Sequence, residues 1–160
     1  MRKGLVFSVL LVACNAAWAR PTNDQDKNKE IARTFFEEVI GQNHLERYAE
    51  SHAKDFVAHG KDHDANLEED MAAAKEERQA LPDMKIRVNQ ILAERDLVAV
   101  YWTAWGTNTQ PGMGFPATGK KISVDGMTIF RFKAGKISEE WGVWSLLDAR
   151  RQAGILCSQQ

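Results

Sequence analysis

Residues 118–145 read TGKKISVDGMTIFRFKAGKISEEWGVWS, and their alternation decides the fold. Ile122, Val124, Thr128, Phe130 and Phe132 fall on one side of a two-residue period, and Ser123, Asp125, Met127, Ile129 and Arg131 on the other. Such alternation among β-branched and aromatic residues is the mark of a strand. Ala134-Gly135 interrupts it, and Ile137, Glu139, Trp141 and Val143 resume it. Glycine accepts the positive φ of a tight hairpin turn, so the stretch reads as two antiparallel strands. Large apolar groups on both sides predict a central hairpin covered on both faces. Asp125, Glu139 and Ser145, caught among them, must find partners or line a cavity.

Before the hairpin, Leu97–Thr107 is a long apolar strand carrying Val98, Val100, Tyr101, Trp102 and Trp105, and Gln110–Pro116 is a Gly/Pro loop. Met84–Leu92 alternates as another strand, with Arg95-Asp96 as a turn. Ile31, Phe35, Phe36, Val39 and Ile40 recur at helical spacing and Gly41 follows as a stop. Asn43-x-x-Glu46 and Asn66-x-x-Glu69 match capping boxes, predicting a short helix over Leu45–His52 and a longer one over Leu67–Ala80. Leu67, Met71 and Ala74 give the latter a narrow apolar stripe opposite a charged face. Leu81-Pro82-Asp83 ends it, because the residue before proline avoids the helical region. Leu146–Gly154 is a closing helical turn. Helices first and strands after give an α+β fold: a cone-shaped, curved antiparallel sheet of about four long strands, with N-terminal helices packed over its open side. Such a fold encloses a pocket suited to small molecules.

The N-terminus is read as a targeting segment. Met1-Arg2-Lys3 precedes an apolar run, Gly4–Ala13, too short to span a bilayer. Residues 1–19 form a signal peptide with Ala17-Trp18-Ala19 as the cleavage site; the alternative is a lipoprotein box, Leu11-Val12-Ala13-Cys14, with a lipid on Cys14. Export to the periplasm or beyond follows in the first case, and an anchor at Cys14 in the second. Residues 20–28 read as a flexible leader, 29–156 as one domain, and 157–160 as a polar tail in which the lone Cys157 makes no internal disulfide. Without Arg2 and Lys3, 19 basic residues face 22 acidic ones. That balance argues against a nucleic acid or an anionic membrane surface as partner.

An ordered set of short pieces carries a resemblance. His59 follows a short strand; Leu81-Pro82-Asp83 precedes the first long one; Gly106-Thr107 leads into the Gly/Pro loop. Thr118-Gly119-Lys120, Gly135-Lys136-Ile137 through Glu139 to Trp141, and Gln152-Ala153-Gly154 complete it. In this the chain resembles the SnoaL-like polyketide cyclases, or ester cyclases, of the nuclear transport factor two-like superfamily, over about Asn28 to Leu156. The resemblance implies an apolar small-molecule ligand, no metal or cofactor, and a homodimer through the sheet. It also implies an intramolecular aldol closure with an Asp as general base and a His beside it. The family's Asp position is Ser145 here, and its Thr-His pair is Thr107-Asn108. A serine hydroxyl is no general base near neutral pH, so the chemistry needs another carboxylate or the pocket only binds.

The candidates are weighed accordingly. His59 is either an acid/base group or a tether between strand and sheet. Asp125 is the replacement carboxylate if its face lines the cavity, and otherwise pairs across the sheet. Asp148 returns to the side of Ser145 one turn later, or pairs with Arg150 or Arg151. Asn108 and Ser145 would orient a substrate oxygen. Trp141, Glu139 and Trp102 would wall the ligand; the alternative for Glu139 is a salt bridge with Lys136 or Arg131. His59 and His63 stand i, i+4 beside Asp55, Asp62 and Asp64, but Gly60 interrupts any helix there, so the segment reads as a solvated loop and not a metal site. His44 and His52 read as helix-surface residues.

Overall fold

The structure, a computed structural model, describes residues 23–114 and 116–155. The expected signal peptide with Cys14, and the expected tail with Cys157, lie outside these residues. Helix α1 (Asn23–Thr34) begins inside the segment expected to be a leader and continues as a π-helical stretch, Phe35–Ile40. A 3₁₀ turn (Leu45–Arg47) and the short α2 (Tyr48–Ser51) lead into β1 (His52–Ala58). Then come β2 (Ala65–Asn66), α3 (Leu67–Ala80), β3 (Lys85–Glu94), β4 (Leu97–Thr107), β5 (Lys121–Lys133), β6 (Lys136–Trp144) and α4 (Leu146–Ala153). Among the described residues no helix is long and apolar enough to cross a membrane.

Local chemistry sets several boundaries. The Asn66 side chain accepts the backbone N–H groups of Glu68 and Glu69 at 2.9 and 3.1 Å, and the Glu69 carboxylate accepts the Asn66 N–H. The second expected box does not form: Asn43 sits at φ 65° and no side chain caps the turn at Leu45. Ala134 and Gly135, at φ 50° and 74°, make the two-residue turn between β5 and β6.

The strands form one curved sheet in the order β2-β1-β6-β5-β4-β3, antiparallel throughout except for β1 beside β6. Helices pack on one face: α1 and the π-helical stretch on β3, α3 on β1, α4 on β5. Val98, Val100 and Trp102 of β4 and Ile122, Phe130 and Phe132 of β5 turn toward them and are buried. Phe36 meets Trp102 and Phe130 at ring distances of 5.7 and 5.6 Å, and Phe35 meets Phe130 at 5.9 Å. Burying each of these side chains contributes about 2–3 kcal/mol. A Cβ at Gly126 would lie 2.2 Å from the Trp102 ring, so bare backbone is what lets the indole lie against β5.

Two features depart from the sequence reading. The hairpin is central, but only its helix-side face is covered. Met127, Ile129, Val143 and Trp105 on the other face are 52, 40, 69 and 40 % exposed. In addition, β6 carries a bulge. Phe132 pairs with Ile137 and Arg131 with Glu139, leaving Ser138 as an extra residue. Ile137 is buried in the core, and after the bulge the inward positions become Glu140, Gly142 and Trp144, opposite Phe130, Thr128 and Gly126. Glu139, Trp141 and Val143 turn outward beside Arg131, Ile129 and Met127.

Candidate functional site

Between the helices and the inner face of the sheet lies a cavity of about 390 Å³. Its walls are mostly apolar, with Phe36, Leu81, Met84, Trp102 and Val124 among them. It opens where the exposed His63 and Trp144 form part of the rim. The polar groups collect on one side: Tyr48 from α2, Asp70 and Glu77 from α3, and Glu140 from β6.

Helical and strand geometry bring them there. Asp70, Ala73, Ala74 and Glu77 form one stripe of α3, spaced i, i+3, i+4 and i+7, and all four line the cavity. The bulge at Ser138 turns Glu140 inward toward them. The Tyr48 hydroxyl donates to Asp70 Oδ2 at 2.6 Å. The His52 ring lies parallel to that of Tyr48, 5.0 Å away, and its Nδ1–H points to the Tyr48 carbonyl at 2.9 Å. This fixes the tautomer: Nε2 is left as an acceptor, and it is buried without a partner. A His52 ring nitrogen and carboxylate oxygens of Asp70 and Glu140 lie within 4.8 Å of one another, close enough to share one cation.

Burial dominates the electrostatics. It pushes the Glu140 carboxyl up to about 8, and the charges of Asp70 and Glu77 add to the effect. Glu77 rises to about 7 through burial and then through Asp70. The surface these two side chains keep belongs to the cavity wall and not to open solvent. Burial also raises Asp70, opposed by the Tyr48 hydrogen bond, while it drives His52 down to about 4, so the imidazole is neutral. Neither lysine nor arginine is among the residues lining the cavity. Arg78, next to Glu77 in sequence, is turned away and donates to the carbonyls of Ile40, Met84 and Pro82. Carboxyl groups that titrate near neutrality inside an apolar wall can both take and give a proton at working pH.

The expected site residues are dispersed. Trp102 lines the cavity, and its Nε1–H donates to Thr128 Oγ1 at 3.1 Å. Asp125 does not reach the cavity: it lies on the outer face and accepts from Thr103 Oγ1 at 2.6 Å. His59 stands on the rim, held by Glu139 at 2.9 Å and Asp64 at 3.3 Å and stacked on Trp141 at 4.6 Å. Its imidazole is raised chiefly by the Glu139 hydrogen bond. Glu139 also accepts from Arg131 Nε at 2.9 Å, and the Arg131 guanidinium lies over Trp141 at 5.6 Å. Glu139 and Trp141 therefore build an outer-face cluster and not a ligand wall. Ser145 caps α4 by accepting the Asp148 N–H at 3.1 Å, and the exposed Asp148 pairs with Arg151 at 3.2 Å. Asn108 is fully buried but clamps a loop: its Oδ1 accepts from Thr118 N and Oγ1, and its Nδ2 donates to Gln110 O at 2.9 Å. His52 is a buried strand residue and not a helix-surface one. Tyr48, Asp70, Glu77 and Glu140, which do meet, escape the sequence reading. The i, i+7 spacing of Asp70 and Glu77 with alanines between them was the one signal available for that pair.

A family model described as SnoaL-like polyketide cyclase matches residues 30–153. Among solved structures, the fold is similar to that of a proposed SnoaL-like polyketide cyclase from Jannaschia sp. CCS1, with a TM-score of 0.78 and 18 % identity over 87 % of this chain and 99 % of that one. AclR from Streptomyces galilaeus superposes with a TM-score of 0.77 at 23 % identity, over 85 and 86 % of the two chains. IdmH from Streptomyces antibioticus, a proposed polyketide cyclase, gives 0.68 at 26 % identity over 83 and 99 %. No protein with a curated description matches the sequence.

Proposed function

The chain belongs to the SnoaL-like polyketide cyclase family, and from that premise we propose that it is an exported, cofactor-independent enzyme that moves a proton on a small, largely apolar carbonyl or ester compound. One observation carries this reading: a mostly apolar cavity whose polar side is built from three carboxyl groups, with neither lysine nor arginine in its lining. Glu140 takes the role that the absent family Asp leaves open at Ser145. As carboxylate it removes a proton from carbon beside a carbonyl. Glu77, close in protonation behaviour, returns a proton to the product. The Tyr48 hydroxyl donates to Asp70 and so fixes that carboxyl beside the other two. Asp125 and Asp148 lie too far outside to share this work, and His59 stays at the rim.

A nitrobenzisoxazole tests the reading without knowledge of the natural substrate. A carboxylate takes its ring C–H proton, the C–H electron pair completes a nitrile, and the N–O bond breaks to release a coloured phenolate. Turnover is expected to fall on the order of a hundredfold in Glu140→Gln and to be unchanged in Asp125→Asn. Equal rates in Glu140→Gln and the parent overturn the assignment. A second reading, a pocket that binds without turnover, draws on the capping role of Ser145 and the clamping role of Asn108. It expects no release of phenolate at all, together with stabilisation by apolar guests that grows with their concentration.

Two accompanying features belong to the same proposal. The uncovered outer face with Met127, Ile129 and Val143 fits a homodimer through the sheet, so Met127→Lys is expected to yield monomers in sedimentation experiments. Export with cleavage before Arg20 is read out by N-terminal sequencing of the exported protein; partition into detergent would favour the anchor at Cys14 instead.

A further inference from the structure

We infer that the guest of this cavity presents a protonated amine to Asp70, Glu140 and His52, with its apolar body against Phe36 and Trp102. The inference rests on the reading of the cavity as a small-molecule site and adds a substrate class to it. The groups gathered on the polar side are short of donors. Asp70 already receives one hydrogen bond, from the Tyr48 hydroxyl. Glu77 and Glu140 line the cavity, and neither lysine nor arginine is among its walls. His52 is only 5 % exposed, its Nδ1–H is committed to the Tyr48 carbonyl, and its Nε2 lone pair has no partner. A buried acceptor left unmatched is costly, and this one, set behind the cavity lining with carboxyl oxygens of Asp70 and Glu140 close by, calls for a donor from outside the chain.

An ammonium group supplies three N–H donors and one positive charge. That matches the carboxyl groups of Asp70 and Glu140, the latter giving up its proton as the cation arrives, and one imidazole nitrogen. A neutral alcohol supplies a single donor, and a carboxylate guest supplies none and meets like charge. Geometry also suits an ammonium. The N–H groups of an ammonium diverge at the tetrahedral angle, so hydrogen bonds of about 2.8 Å place their acceptors about 4.6 Å apart, inside the 4.8 Å within which these atoms lie. Phe36 and Trp102, both in the cavity wall, suit the apolar body of the same guest.

The test is calorimetric titration of the full chain at neutral pH with benzylamine, benzyl alcohol and phenylacetate, followed by zinc in competition with benzylamine. Benzylamine is expected to bind on the order of tenfold or more tighter than benzyl alcohol, the difference one charge-assisted hydrogen bond makes, and phenylacetate weakest. Asp70→Asn and Glu140→Gln are each expected to bring the ratio of amine to alcohol affinity close to one. If alcohol and amine bind alike, the amine inference falls and the pocket reading stands. If none of the three binds, both fall. If zinc displaces benzylamine one for one, and His52→Ala abolishes the zinc heat, the cluster is a metal site and the inference is overturned.

Discussion

Replacing Glu140 by glutamine is expected to stabilise the protein, and only above acidic pH. The Glu140 carboxyl titrates at about 8 in the fold, against 4.5 for an unperturbed glutamate. Below about pH 4.5 it is protonated in both the folded and unfolded chain and contributes nothing to pH dependence. Between the two values the folded chain keeps a proton that the unfolded chain has released. The folded state then binds more protons, and stability falls as pH rises, by about 1.4 kcal/mol per pH unit. By pH 7 the loss is on the order of 3 kcal/mol, and it levels off near 5 kcal/mol above about pH 8, where both forms are ionised. Glutamine keeps the shape and never ionises. Urea denaturation followed by tryptophan fluorescence should therefore give parent and Glu140→Gln similar stability near pH 4.5, apart from a small constant offset. The variant should lead by on the order of 3 kcal/mol at pH 7, and by more at pH 9. A gain that does not change with pH, or a variant that is less stable at neutral pH, would refute the burial of this carboxyl. A variant that gains stability while losing turnover is what a strained catalytic group predicts.

Three further outcomes follow from packing and capping. Gly126→Ala forces a methyl group into the Trp102 indole, and thermal or urea denaturation should show a loss of about 1–3 kcal/mol; no loss would mean that the ring moves freely. Ser145→Ala removes the cap of α4 and should cost about 1 kcal/mol, whereas Ser145→Asp, an equally good cap, should leave stability within a few tenths of a kcal/mol of the parent. Asn108→Ala strips hydrogen bonds from Thr118 and from the carbonyls of Gln110 and Ala80. It should lower stability by about 1–3 kcal/mol and speed amide exchange at Thr118, with the nitrobenzisoxazole rate measured below the melting range little changed.

What could be read from the chain was whatever local chemistry decides. Alternation and the Ala134-Gly135 turn define β5 and β6, and the Asn66 box and Leu81-Pro82 bound α3 at both ends. The cavity groups were decided at longer range. A period of two separates two faces but does not say which one turns inward, and on β5 both carry bulky apolar side chains. Asp125 was therefore as eligible for the cavity as for solvent. On β6 the period itself fails, because Ser138 is inserted against β5 and exchanges the faces of everything after it; Glu139 and Trp141 look inward-facing only when Ile137 sets the phase. On α3, Asp70 and Glu77 look like a solvated side until β1 and β6 place the helix over the sheet. Ser145 and Asn108 occupy positions that the family resemblance links to catalysis, yet in this chain both spend their hydrogen bonds on backbone.

Gly126 governs a dimension of the cavity without being part of its wall. Because the indole of Trp102 rests directly on naked main chain, the wall it forms is set back by roughly the thickness of a methyl group. Any side chain at 126 would push that ring forward and make the chamber shallower, while every group that touches a guest stayed chemically the same. Discrimination between slim and broad guests can thus be retuned from behind the wall, at a position that a survey of guest contacts would never include.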